Sequence, residues 1–145
     1  MNKPVLIKNS QGRKMNVLGD NQTIKMTSVD TNGQFTLIEQ FDEPGVGIPK
    51  HIHFNEDELF RVLEGKLKVT IGDETKFVTA GDTIYCPRGI PHAWEVVGTE
   101  KAKTILMIFP AGLEVMFEEL SRLSKGMSEI EKVIEITSKY NIHFV

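Results

Sequence analysis

Two histidines stand two residues apart in His51-Ile52-His53, Glu58 follows five residues later, and His92 stands in a separate Pro/Gly-rich turn. No other feature constrains the fold as much. In a β-strand, residues i and i+2 point to the same face, about 7 Å apart at their Cα atoms. His51 and His53 therefore aim their imidazoles at one point, while Ile52 faces the other way. Glu58, on the following strand, shares its face with Phe60 and Val62 and can bring a carboxylate to that point. His92 arrives from elsewhere, after a turn built by Pro87, Gly89 and Pro91. Three imidazoles and one carboxylate form a borderline N/O set that suits one divalent Fe, Ni, Mn, Cu, Co or Zn ion per chain and excludes a soft thiolate site. Four protein ligands leave open positions on a six-coordinate ion, which marks a reactive site rather than a closed structural one.

The chain around this set reads as β-structure. Roughly its first hundred residues are short runs broken by turn residues every 8–12 positions or so, the pattern of an all-β sandwich or barrel. Phe35–Phe41 is strand-like, entered through Asn32-Gly33 and left through Pro44-Gly45. Leu59–Ile71 suggests a hairpin around Glu64-Gly65. Lys76–Val78, Thr83–Cys86, Ala93–Val97 and Thr104–Phe109 complete the strands, all rich in β-branched and aromatic residues. Character changes after Pro110-Ala111-Gly112. Leu113, Met116, Phe117, Leu120 and Leu123 recur at helical spacing and predict an amphipathic helix over 113–125. Lys125-Gly126 would end it, with Gly as a left-handed cap. Ser128-x-x-Glu131 is a capping box that opens a second helix, with Ile130, Val133, Ile134 and Thr137 as its inward face. Asn141 is a second cap residue, and Ile142–Val145 is a short strand-like end. The expectation is a single domain over 1–145, with a barrel over about 1–112 and a helical tail over about 113–145.

Two spaced motifs carry a family resemblance. The first runs Gly45, five residues, His51-x-His53, four residues, Glu58, six residues, Gly65. The second runs Gly81, five residues, Pro87-x-Gly89, two residues, His92. Both resemble the two-part motif of the cupin family, in the right order and fifteen residues apart. The family pattern ends in an Asn four residues after the last His, where this chain has Val96; the change implies one polar group fewer near the pocket. From Asn32-Gly33-Gln34-Phe35 to Pro110-Ala111-Gly112-Leu113 the chain resembles small single-domain, quercetin-dioxygenase-like cupins. Phe117 and Tyr140-Asn141-Ile142 resemble the helical tail of such proteins. The resemblance implies an all-β, double-stranded β-helix (jelly-roll) barrel, commonly a homodimer, with a metal held in its mouth by His51, His53, Glu58 and His92.

Fold does not fix function, because cupins include dioxygenases, decarboxylases, isomerases and non-catalytic binders. The leading reading is a metal-dependent dioxygenase acting on a small aromatic or enolisable compound, with Glu58 as ligand and base. Apolar walls would come from Phe60, Val62, Trp94 and Met107. A non-catalytic small-ligand or metal binder and a metal-dependent isomerase or decarboxylase stay open beside it. Cys86 reads as a small buried hydrophobe and His143 as a residue without a role.

Formal charge is −3, with no basic block, which argues against nucleic acid or an anionic membrane as partner. One cysteine excludes an intrachain disulfide framework. The N-terminus has only a three-residue apolar run, and no stretch approaches the roughly 18 residues that span a bilayer. A cytoplasmic protein with a small-molecule substrate is the expectation. The strand-like ends, Pro4–Lys8 and Ile142–Val145, together with unburied stripes on the tail helices, predict a two-fold homodimer.

Overall fold

A computed structural model of the chain describes residues 3–124 and 129–145. The expected caps at Lys125-Gly126 and Ser128 lie outside the described residues.

Eleven strands form two antiparallel sheets among the described residues. One sheet holds β1 (Arg13–Val17), β2 (Asp20–Met26), β3 (Thr36–Asp42), β10 (Ala102–Phe109), β5 (Asp57–Glu64) and β8 (Thr83–Cys86), in that spatial order. The other holds β11 (Ile142–Phe144), β4 (Gly47–His53), β9 (His92–Val97), β6 (Lys66–Ile71) and β7 (Glu74–Thr79). This is the expected jelly roll. The inner faces enclose a core that includes Ile38, Val62, Leu67, Val96 and Ile108, all nearly or fully buried. Alternation explains which residues enter it: in β10, Ala102, Thr104, Leu106 and Ile108 are buried while the residues between them are not.

Two glycines are required by the path of the chain. Gly65 turns β5 into β6 at φ 82°, and a Cβ there would meet the Cα of Ala102 at 2.6 Å. Gly47 lets β4 lie close against β9, since a Cβ would strike the Trp94 carbonyl. Beyond it the pairing shifts register between Ile48 and His51, and the shift places His51 opposite His92.

A short helix, α1 (Ser28–Thr31), is closed by a capping box between Thr27 and Asp30. The tail holds α2 (Glu114–Ser121) and α3 (Ile130–Lys139). α2 is anchored by Glu114, whose carboxylate accepts from Ser28 N at 2.7 Å, Thr36 Oγ1 at 2.7 Å and Gly112 N at 2.8 Å. Glu119 joins the helices by accepting from Lys139 and from the Tyr140 hydroxyl.

Three expectations need correction. The first tail helix ends at Ser121 rather than 125, because the amides of Arg122 and Leu123 bond back three residues in a closing turn. The inward face of α3 is Val133 and Thr137, whereas Ile130 and Ile134 are 42% and 46% exposed. Thr137 tolerates burial because its hydroxyl donates to the Val133 carbonyl at 2.9 Å. Pro4–Lys8 forms no strand: the Lys25 ammonium collects the carbonyls of Lys8, Asn9 and Gln11, so this segment is held by a side chain. Ile142–Phe144 does form a strand, and it pairs with β4 of its own chain. No helix is long and apolar enough to cross a membrane among the described residues.

Candidate metal centre

Each of the four residues named from the sequence sits on a barrel strand and faces inward. His51 and His53 end β4, Glu58 lies near the start of β5, and His92 opens β9. All four are buried, and one ligand atom from each lies within 4.8 Å of the others. Glu58 Oε2 is 2.7 Å from His92 Nε2, and Glu58 Oε1 is 3.6 Å from His53 Nε2. The imidazole centroids stand 4.4–5.4 Å apart.

The far sides of two rings face backbone carbonyls and that of the third faces a carboxylate. His51 Nδ1 donates to the Pro49 carbonyl at 2.9 Å, and His92 Nδ1 faces the Ile90 carbonyl at 3.5 Å. His53 Nδ1 lies 3.5 Å from Glu56 Oε2, a buried carboxylate. A carbonyl or carboxylate beside Nδ1 favours the proton there and turns Nε2 toward the group, where a metal would replace the proton that His92 now shares with Glu58; such outer partners are a usual part of histidine metal sites. Glu56 escaped the sequence reading; its position, three residues after His53 in the loop before β5, was the only available signal.

Electrostatics agree with ligation. Burial, reinforced by the neighbouring His92 and His53, pushes His51 down to about 4, so it is neutral at physiological pH. Burial alone would raise Glu58, but the charge of His53 and the hydrogen bond from His92 pull it to about 2. For His53, burial is outweighed by Glu58 and Glu56, and its pKa is raised. A divalent cation would displace the protons that now link His53 and His92 to Glu58, and three imidazole nitrogens with one carboxylate are a donor set suited to it, so the residues present fit such an ion.

A cavity of about 80 Å³ opens on this group. Phe60 and Trp94 line it. Val62 shares the face but is fully buried in the core and does not reach the cavity. Met107 falls on the opposite face of β10, and Leu106 takes the lining position instead. Val96 also belongs to the core and does not line the cavity. Cys86 is buried; burial and the Glu58 charge push its thiol up to about 12, which removes it as a nucleophile. His143 is exposed on β11. The tail roofs the cavity through Met116, Phe117 and Leu120 of α2, Thr137 of α3 and Phe144 of β11.

A family model described as "Cupin domain" matches residues 39–109. Mannose-1-phosphate guanylyltransferase 2 from Escherichia coli O157:H7 is 36% identical over 74 residues, covering 51% of this chain and 15% of that protein. Quercetin 2,3-dioxygenase from Bacillus subtilis (strain 168) is 26% identical over 93 residues, covering 64% of this chain and 28% of that protein. KdgF from Halomonas sp. superposes with a TM-score of 0.69 at 16% identity, covering 78% of this chain and 99% of the other. The chain spans less than half the length of the curated relatives it matches.

Proposed function

We propose that this chain, whose residues 39–109 are a cupin domain, is a metal-dependent oxidoreductase of dioxygenase type acting on a compact enolisable or hydroxylated substrate. The observation that carries the metal assignment is the convergence of His51, His53, Glu58 and His92 in one buried group, with Nδ1 of His51 and of His92 facing backbone carbonyls. His51, His53, Glu58 and His92 would hold one divalent transition ion. When bound, the ion would supply Lewis acidity and, for Fe, Cu or Mn, a one-electron couple. Glu58, with its carboxyl held at about 2, suits an anionic ligand and is a weak base at neutral pH. Phe60, Trp94 and Phe144 give the cavity apolar walls that exclude water from the group.

Similarity to quercetin 2,3-dioxygenase over 93 residues supports the reaction class. The cavity, at about 80 Å³, is far below the roughly 300–1,000 Å³ of drug-sized sites. It supports a substrate smaller than a flavonol. The same size favours a second reading, metal-dependent isomerisation or decarboxylation of a compact acid, which needs no room for dioxygen. Oxygen-electrode traces with Fe-, Ni-, Mn- and Cu-loaded protein and a panel of small diketones and hydroxy acids test the first. Oxygen uptake supports it, and anaerobic substrate loss transfers the assignment to the second reading. Neither result with any metal would leave a non-catalytic binder. The assembly we propose is a two-fold homodimer, supported by Phe41, Phe77 and Tyr85 standing exposed on the sheets. A light-scattering mass near one 16.3 kDa chain would overturn it.

A further inference from the structure

We propose that the cavity takes an organic monoanion whose remainder is apolar, with Phe144 on β11 as the lining residue that sets this preference against a second negative charge. The inference deepens the metal reading above and rests on it. Charge sets the first requirement. Three neutral imidazoles and the Glu58 carboxylate would leave a divalent ion with one net positive charge, which one anionic group of a ligand balances. The rest of the ligand meets a different surface. Ile48, Phe60, Trp94, Leu106, Phe117 and Phe144 line the cavity from both sheets and from α2. No lysine or arginine lines it among the described residues. The polar groups of the lining do not take their place. Asp20 is acidic, and its Oδ2 draws in the amide nitrogens of Gln22 and Gln40 at 2.9 Å and 2.7 Å. The Thr137 hydroxyl donates to the Val133 carbonyl at 2.9 Å. A second carboxylate in this space would lose its water without gaining a cation, which is costly. An alkyl group in the same space gains from burial.

Phe144 holds a particular place in this lining. β11 pairs it with His51, and its ring centroid lies 6.1 Å from that of His51. Met116, Phe117 and Leu120 of the roof are buried, but Phe144 is only partly so. It therefore reaches from the histidine end of the cavity toward the surface, on an edge strand of its sheet. A lysine at this position could lay its stem along the same wall and keep its ammonium hydrated. The phenyl ring supplies only apolar surface, so no counter-charge stands beside the His/Glu group on this side. Size adds a limit: at about 80 Å³, against the roughly 150 Å³ that holds benzene, the cavity suits only a few carbon atoms.

The test uses the full chain loaded with Mn(II), followed by water-proton relaxation at neutral pH, with 2-hydroxybutyrate and malonate as probes. The two have the same number of heavy atoms, and each can present two oxygens to the metal. Malonate carries two negative charges and 2-hydroxybutyrate one, so charge alone gives free Mn(II) a preference for malonate. The native protein should reverse that order and bind 2-hydroxybutyrate at least about tenfold more tightly. At saturating Mn(II), Phe144→Lys or, as a second cation, Phe144→Arg should shift the ratio about tenfold toward malonate. Phe144→Met, which adds no charge, should keep the native order. Malonate bound as tightly as 2-hydroxybutyrate by the native protein, or no binding of either, would overturn the proposal without any variant. A ratio that both cationic variants leave unmoved would overturn the part given to Phe144. Failure to take up Mn(II) or any other divalent ion would instead overturn the metal reading, and this inference with it.

Discussion

On the side of the cavity that carries the histidines, Glu58 sits among three imidazoles and its carboxyl is held at about 2. On the β2–β3 wall, Asp20 and Asp42 sit against each other, and Asp42 is pushed up to about 9 by burial and by the Asp20 charge. Both clusters are buried to a similar degree. Burial raises a carboxyl in either place, so the sign of the shift is decided by what faces it. The charge and N–H donation of the imidazoles keep Glu58 an anion, in a set whose protons a metal cation could replace. A second carboxyl and two amides make the Asp20–Asp42 pair complete with one proton. The comparison teaches that one barrel separates an end suited to a metal cation from an end closed by its own hydrogen bonds.

The strongest way to break this contrast is Asp20→Leu, which is close in size but removes the acceptor for Gln22 and Gln40 and the partner of Asp42. At about 1–3 kcal/mol for each buried group left unpaired, a loss of roughly 3–5 kcal/mol is expected from urea unfolding. A loss below about 1 kcal/mol would mean that the wall is not a cooperative network. Glu56→Gln probes the other end. It should lower metal affinity about 10- to 100-fold in a chelator competition while leaving the fold intact, because only the negative charge beside His53 Nδ1 is lost. Unchanged affinity would remove Glu56 from the site.

The pH dependence sharpens the comparison further. Asp42 has a raised folded pKa, so its contribution to stability is present below the ordinary value of 3.8 and is lost as pH rises toward about 9. Asp42→Asn should flatten that alkaline decline, and identical slopes would count against the shared proton. His51 and Glu58 act in the opposite direction in the metal-free protein. Their lowered pKa values give stability that is present above 6.5 and 4.5 and is lost as pH falls toward about 4 and about 2. Melting curves from pH 3 to pH 10 read both limbs. The smallest expected effect is that of His143→Ala, an exposed position. Stability should move by no more than about 0.5 kcal/mol, with metal content unchanged.

The difference between the two ends also explains what could be read from the sequence. The four converging residues were legible because the period-2 rule acts over very short spans: 51 with 53, and 58 on the next strand. The same counting placed Phe60 beside Glu58 and Trp94 beside His92. It failed for Met107, because Ile105-Leu106-Met107-Ile108-Phe109 is apolar on both faces and hides its own alternation. Val62 was placed on the correct face, but parity says nothing of depth. Asp20, Gln22 and Gln40 were illegible, since lone polar residues in strands normally point outward. What keeps these inward is a set of partners up to 64 residues away in sequence. Glu56 lies in a loop, where no period applies.

The central claim is that His51, His53, Glu58 and His92 hold one divalent ion. Native mass spectrometry after titration with each of Fe, Ni, Mn, Cu, Co and Zn, on the native chain and on His51→Ala and His92→Ala, addresses it most directly. The account predicts one ion per native chain with at least one of these metals, near-zero occupancy in both variants, unchanged circular dichroism, and release of the ion as pH falls toward about 5, below the ordinary histidine value of about 6.5. No ion on the native chain, or unchanged occupancy in either variant, would contradict it.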